Sequence, residues 1–312
     1  MESLTFKATD ATQIHYYRWL PADEPIATIQ IAHGMGEHAA RYDWLAGQLT
    51  AAGYAVYAQD HRGHGQTAAE GGLGDLGEDG WNRVISDAAE LHDLITSAVA
   101  DRPQILIGHS MGAMLAQQYL YRFGEGLDAA VISGSPGLGT PIQMWLSHTL
   151  ARFEAWRLGF SGESALLDKM IFGNANDDFA ATENATGFEW LSRDTDQVNA
   201  YAADPLCGFV LRTGSLVNLF AGAREARKRK NIERIPADLP IYIFSGSADP
   251  VHSEEKGLDR LLKRYRAQVR KVDYRLYRDG RHEMFNELNR DEVVGDLLKW
   301  LELVLPARSS PA

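Results

Sequence analysis

The chain has 312 residues, 45% of them hydrophobic, 10% aromatic and 23% charged, a composition that suits a folded globular protein and argues against a largely disordered one. Its 31 Lys and Arg against 42 Asp and Glu leave a formal charge of −11, which disfavours nucleic acid and anionic surfaces as main partners. The single cysteine, Cys207, excludes an intrachain disulfide.

In chain order, Leu4 to Thr9 and Ile14 to Leu20 read as an edge hairpin across the turn residues Asp10-Ala11-Thr12. The start, Met1 to Lys7, lacks the basic and apolar regions of a signal peptide, and no segment is apolar enough to span a membrane, so a cytoplasmic protein is expected. Ile26 to Ala32 is a cleaner strand that delivers His33-Gly34-Met35-Gly36-Glu37-His38, a sharp excursion before a helix from about Arg41 to Ala52. Tyr54 to Ala58 is the next strand. It leads into the turn Asp60-His61-Arg62-Gly63-His64-Gly65 and a Gly-rich loop, Glu70 to Gly80, expected on the surface and among the more mobile parts. Trp81 to Val99 keeps helical apolar spacing.

The apolar run from Gln104 then passes through Gly108-His109-Ser110-Met111-Gly112 into a helical sequence, and Asp128 to Ser133 forms another strand. Strands alternating with helices imply a mainly parallel sheet covered on both faces. The rhythm breaks from about Pro136 to Pro236, where helical but irregular text packs Met144, Trp145, Leu146, Leu150, Phe153, Trp156, Leu158 and Phe160 together. It resumes with the strand Ile241 to Ser245, a helix from Ser253 to Tyr265, the strand Val272 to Tyr277 and a closing helix from Arg290 to Leu305, with Ala307 to Ala312 as a frayed tail. The expected architecture is an α/β core, residues 1–135 and 237–312, with a mostly parallel eight-stranded sheet and an inserted helical cap, residues 136–236.

A serine held in a G-x-S-x-G turn between strand and helix has its hydroxyl raised above the sheet, although the pattern alone also suits a plain small-residue turn. Ser110 is the candidate nucleophile. It needs a general base, and the base needs an acceptor to hold its tautomer. Asp249 falls just past the strand at Ile241 and His282 just past the strand at Val272. In a parallel sheet these ends lie on one edge, so the three converge there, and their order of Ser, Asp, His is that of the α/β-hydrolase arrangement. Asp279 stands too close to His282 in one loop to orient it, and His33, His61 and His64 precede the nucleophile in other loops. His109 adjoins Ser110 and cannot curl back to it. His252 has no assigned task, and Cys207 reads as a buried, inert thiol. For an oxyanion the donors are the backbone N–H of Met111 and of Met35 between its two glycines. Gly34, His109 and Trp145 are candidates for substrate contact. The basic run Arg224 to Arg234 reads as a solvated helix face where the insertion returns to the core.

Four motifs carry a resemblance: His33-Gly-Met-Gly-Glu-His38 with Arg41-Tyr42, Asp60-His-Arg-Gly-His-Gly65, Gly108-His-Ser-Met-Gly112, and Arg281-His-Glu-Met-Phe-Asn-Glu287. In order and over nearly all of both core segments, the sequence resembles the monoacylglycerol lipase and lysophospholipase branch of the α/β-hydrolase superfamily. Position by position the resemblance implies Ser110 as nucleophile, Asp249 as acid, His282 as base and the Met35 and Met111 amides as oxyanion hole. It implies hydrolysis of acyl esters with no metal or organic cofactor. Within the insertion, Trp190 to Tyr201 and Asp204-Pro-Leu-Cys207 are similar to bacterial members, while the rest departs freely. The alternatives are a carboxylesterase or thioesterase for small soluble esters, and a non-catalytic binding protein on a hydrolase fold. The expected partner is a small acyl ester, with transient lipid-surface contact through the cap.

Overall fold

The computed structural model describes residues 1–69, 72–179, 185–252 and 256–305. Among them, eight strands form one sheet in the order β1-β2-β4-β3-β5-β6-β7-β8. The strands are β1 Glu2–Lys7, β2 Gln13–Trp19, β3 Ala27–Ala32, β4 Tyr54–Gln59, β5 Gln104–His109, β6 Ala129–Ser133, β7 Ile241–Gly246 and β8 Val272–Tyr277. β1 and β2 pair antiparallel, and β2 joins β4 antiparallel; every other pairing is parallel. The expected edge hairpin and mostly parallel sheet are therefore present.

Residue chemistry explains the arrangement. β3 to β7 are buried at every position, as strands covered on both faces must be, whereas β1 at the edge is largely exposed. Successive side chains leave for opposite faces. Thus Leu106, Ile132 and Ile243 join one apolar cluster while Ile105, Ile107, Val131 and Phe244 join the other. The first cluster is closed by α2 Gly80–Ala98, α3 Met111–Phe123 and α9 Lys256–Arg266; the second by α1 Asp43–Ala51 and α10 Arg290–Val304. α1 starts two residues later than expected because Ala39–Tyr42 is wound as a short 3₁₀ turn. Three expectations fall partly or wholly outside the described residues: the first positions of the Glu70 to Gly80 loop, the first positions of the helix from Ser253, and the tail.

Between β6 and β7 run α4 Pro141–Leu158, α5 Ala165–Phe172, α6 Thr195–Ala203, α7 Thr213–Ala226 and α8 Arg229–Ile232. Thr140 starts α4 with a capping box on Gln143, and Pro141 occupies the first turn, where its missing N–H costs nothing. α7 lies on α2 and α3: Leu216 and Leu219 enter the first core cluster, and Gly222 leaves room for the Trp81 ring, which a Cβ there would meet at 2.2 Å. The segment thus ends as part of the core packing, while α5 and α6 stand over the sheet edge where the strands end.

Candidate active site

β5 turns into α3 at Ser110, whose backbone has φ 53° and ψ −113°. For a residue with a Cβ this conformation costs on the order of 1–3 kcal/mol, and the surroundings impose it. A Cβ on Gly108 would stand 2.3 Å from the Gly112 carbonyl oxygen, and one on Gly112 would stand 2.0 Å from that of Ala32. Only glycine permits strands and helix to pass so closely. The Ser110 N–H donates to the Ser133 carbonyl at 3.0 Å, tying the turn to β6.

Asp249 follows β7 and His282 follows β8, and both are buried. His282 Nδ1 lies 3.0 and 3.1 Å from the two carboxylate oxygens of Asp249. The carboxylate also accepts the Ser245 hydroxyl at 3.0 Å and the Val251 N–H at 2.9 Å. Burial opposes charge on His282, but the Asp249 carboxylate outweighs it and raises the imidazole above its ordinary range. The same pairing overcomes burial at Asp249 and holds its carboxyl below the usual range. Asp279 sits at an exposed turn beside Arg278 instead.

Ser110 and His282 open, with Gly34, Met35 and His109, into one cavity of about 370 Å³. Its far wall comes from the segment between β6 and β7 and includes Phe172, Phe188, Trp190 and Phe209. Met111 is the first residue of α3, so its N–H has no acceptor within the helix. The Gly34 N–H is occupied by the Glu37 carboxylate at 2.6 Å, and Met35 is the next amide along that loop. Trp145 is placed elsewhere: it is 55% exposed on the outer face of α4 and does not line this cavity. His109 does line it, but burial and then the neighbouring His282 push its imidazole down to about 3, so it is neutral.

The model of the serine aminopeptidase S33 family matches residues 23–289. The chain belongs to that family. Among relatives of this S33 protein, the monoacylglycerol lipase of Mycolicibacterium smegmatis is 26% identical over 308 residues, 95% of each chain. The monoglyceride lipase of Mus musculus is 27% identical over 297 residues, 91% of this chain and 84% of the relative. A carboxyl esterase of Bacillus coagulans, solved in complex with glycerol, superposes with a TM-score of 0.88 at 25% identity, covering 97% of this chain and 98% of that one. The resemblance carried by the four motifs is borne out, and the α/β-hydrolase fold with it.

Several residues around the S33 site had no role assigned from sequence. Arg41 holds the Glu283 carboxylate through two nitrogens, both at 2.7 Å, and reaches Glu37 at 2.6 Å. The loop after β3 is thereby joined to the loop after β8. The Trp190 ring lies 5.0 Å from the His282 ring, and the Trp190 and Leu191 carbonyls accept the N–H groups of His282 at 3.3 Å and Glu283 at 2.7 Å. His33 donates Nδ1–H to the Gly34 carbonyl at 2.8 Å and accepts the His61 N–H on Nε2 at 3.0 Å, which fixes one neutral tautomer. Burial pulls His33, His61 and His64 well below the ordinary histidine range, consistent with a neutral packed cluster under the Gly34-Met35 turn. The motifs contained Arg41, Glu283 and the three histidines, but not Trp190 or Leu191, and the contacts among all of them depend on folding.

Proposed function

We propose that the chain is a serine esterase that cleaves acyl esters of the monoacylglycerol or lysophospholipid type through an acyl-enzyme on Ser110. The observation that carries this reading is the buried Asp249–His282 pair opening with Ser110 into a cavity walled by aromatic side chains. His282, neutral at first, takes the Ser110 proton as the oxygen attacks the ester carbonyl. Asp249 stabilises the imidazolium that results and keeps Nδ1 protonated. The Met35 and Met111 amides receive the oxyanion. Collapse of the tetrahedral intermediate passes the His282 proton to the departing alcohol, and water, activated by the same histidine, releases the acid. Side chains and backbone supply each step, with no metal or organic cofactor.

Residues 136–236 act on this reading as a lid whose inner wall, with Phe172, Phe188 and Phe209, receives the acyl chain. Its outer face makes transient contact with lipid. The similarity to two monoacylglycerol lipases over most of their length supports the acyl-glycerol choice over a small soluble ester. Turnover across a series of ester chain lengths tests it: activity should persist or rise from butyryl to long-chain monoacylglycerols. A maximum at acetyl with none on monoacylglycerols would move the substrate to small soluble esters.

A further inference from the structure

The turn that follows α6 meets the loop that follows β3 at a point the proposed chemistry does not use. Tyr201, near the end of α6, donates its hydroxyl to the Gly36 carbonyl at 2.8 Å, and the Gly208 N–H donates to the same oxygen at 2.9 Å. Between these two ties the chain makes the turn Asp204-Pro205-Leu206-Cys207. Asp204 Oδ1 accepts the Leu206 N–H at 2.8 Å, and the Asp204 carbonyl accepts the Cys207 N–H at 3.0 Å. His38 lies opposite, directly before the 3₁₀ turn that leads into α1.

His38 Nε2 stands 2.9 Å from Asp204 Oδ2. Cys207 Sγ completes a trio in which one ligand atom from each residue lies within 4.8 Å of the other two. Cys207 is a free, partly buried thiol with no hydrogen-bond partner among the described residues. The proton shared by His38 and Asp204 sits where a cation bound by both would sit, and Sγ is within reach of that point. Arg41 is close enough for its charge to act on Cys207, but Glu283 and Glu37 hold it, so with Asp204 the carboxylates outnumber the guanidinium there.

We infer that His38, Asp204 and Cys207 form a binding site for a thiophilic divalent cation, Zn²⁺ by preference, with water as the fourth ligand. One imidazole, one carboxylate and one thiolate make a borderline-soft donor set, which suits Zn²⁺ and disfavours Mg²⁺ and Ca²⁺. Metal–ligand distances of about 2.0 to 2.3 Å put tetrahedral donors roughly 3.3 to 3.8 Å apart. The nitrogen and oxygen must therefore part slightly and the sulfur must close by about 1 Å, which a rotation about the Cys207 Cα–Cβ bond supplies. Capture breaks the Cys207 S–H bond and forms a sulfur–metal bond. The thiol proton passes to solvent, and the His38 ring proton is carried on Nδ1. The bound ion fastens the turn after α6 to the loop that carries Met35, so it should stabilise the folded chain.

The test is metal binding by the full, reduced chain, with Zn²⁺, Co²⁺ and Mg²⁺ as probes. Elemental analysis after gel filtration should find one equivalent of Zn²⁺ and no Mg²⁺, and Zn²⁺ should raise the melting temperature. Co²⁺ should give a sulfur-to-cobalt charge-transfer band in the near ultraviolet. Cys207→Ser should abolish that band. Cys207→Ser and His38→Gln should each weaken Zn²⁺ binding at least about 100-fold, since changes even outside the ligand set cost about 10- to 100-fold. Cys207→Ser keeps the test decisive where His38→Gln fails to fold. Ser110→Ala should bind Zn²⁺ as the parent does, because the trio is separate from the proposed triad. A missing charge-transfer band, equal retention of Mg²⁺, or Zn²⁺ affinity unchanged in Cys207→Ser would overturn the inference.

Discussion

Arg41 and Glu283 form a two-point ion pair, at 2.7 Å through each nitrogen, between the loop that carries Met35 and the loop that carries His282. Both side chains are nearly inaccessible, with 11 and 6% exposure. The pair therefore fixes the distance between the proposed oxyanion amide and the proposed base.

Arg41→Gln leaves Glu283 and Glu37 buried without their cation. A broken buried pair costs about 3–5 kcal/mol, so a clear fall in melting temperature is expected. Residual activity should fall as well, because the His282 loop loses its anchor. Thermal unfolding and kcat measured on the folded fraction check this; an unchanged melting temperature would show that the pair holds nothing in place.

The pH profile follows from the Asp249–His282 pair. His282 must be neutral to accept a proton, and its folded value is raised above 6.5, so kcat/KM should rise with pH through an inflection above that value. Asp249→Asn removes the source of the rise: the inflection should move down, and kcat should drop by about 10⁴ as the tautomer is lost. The same shift affects stability. The stabilisation from the raised His282 is complete below its unfolded value and is lost as pH climbs through the folded one. Melting temperatures across that window, for the parent and the Asn variant, measure it.

Two glycines should respond in opposite directions. Gly112→Ala brings a Cβ to 2.0 Å from the Ala32 carbonyl oxygen, a collision expected to cost at least about 1–3 kcal/mol and to displace Ser110. Gly47, exposed within α1, has nothing within 4 Å of a built Cβ, so Gly47→Ala should stabilise by about 0.5–1 kcal/mol. Denaturant titration of the two variants reads both signs.

Two of the three tryptophans between β6 and β7 divide in the same way. Trp190→Ala removes the ring packed against His282 and part of the cavity wall, so kcat/KM should fall for every ester. Trp145→Ala lies outside that cavity and should leave soluble esters untouched. Kinetics on one short soluble ester separate them.

These contrasts show what the linear sequence makes legible. β3 to β7 are nearly continuous apolar runs punctuated by Gly and turn residues, so their positions and the sheet edge shared by Ser110, Asp249 and His282 could be read directly. Local pattern carries that information. Arg41 with Glu283 and Trp190 with His282 could not be read, because each pair joins segments far apart in the chain and neither residue type specifies its partner. Trp145, one of the aromatics crowded between Pro136 and Pro236, was a candidate for substrate contact, yet α4 is rotated so that Ala151 and Ala155 pack inward and its large side chains face out. Helical periodicity marks faces, and only tertiary packing decides which one is buried.

Ser110 is the proposed carrier of the acyl group, and intact-protein and peptide mass spectrometry after a fluorophosphonate tests that role. One adduct per chain is expected, located on the peptide containing Ser110, with loss of esterase activity in parallel. Ser110→Ala should take no label and lose on the order of 10⁴- to 10⁶-fold in kcat while melting like the parent. An adduct on another residue, or a Ser110→Ala protein that still hydrolyses esters at the parent rate, would contradict it.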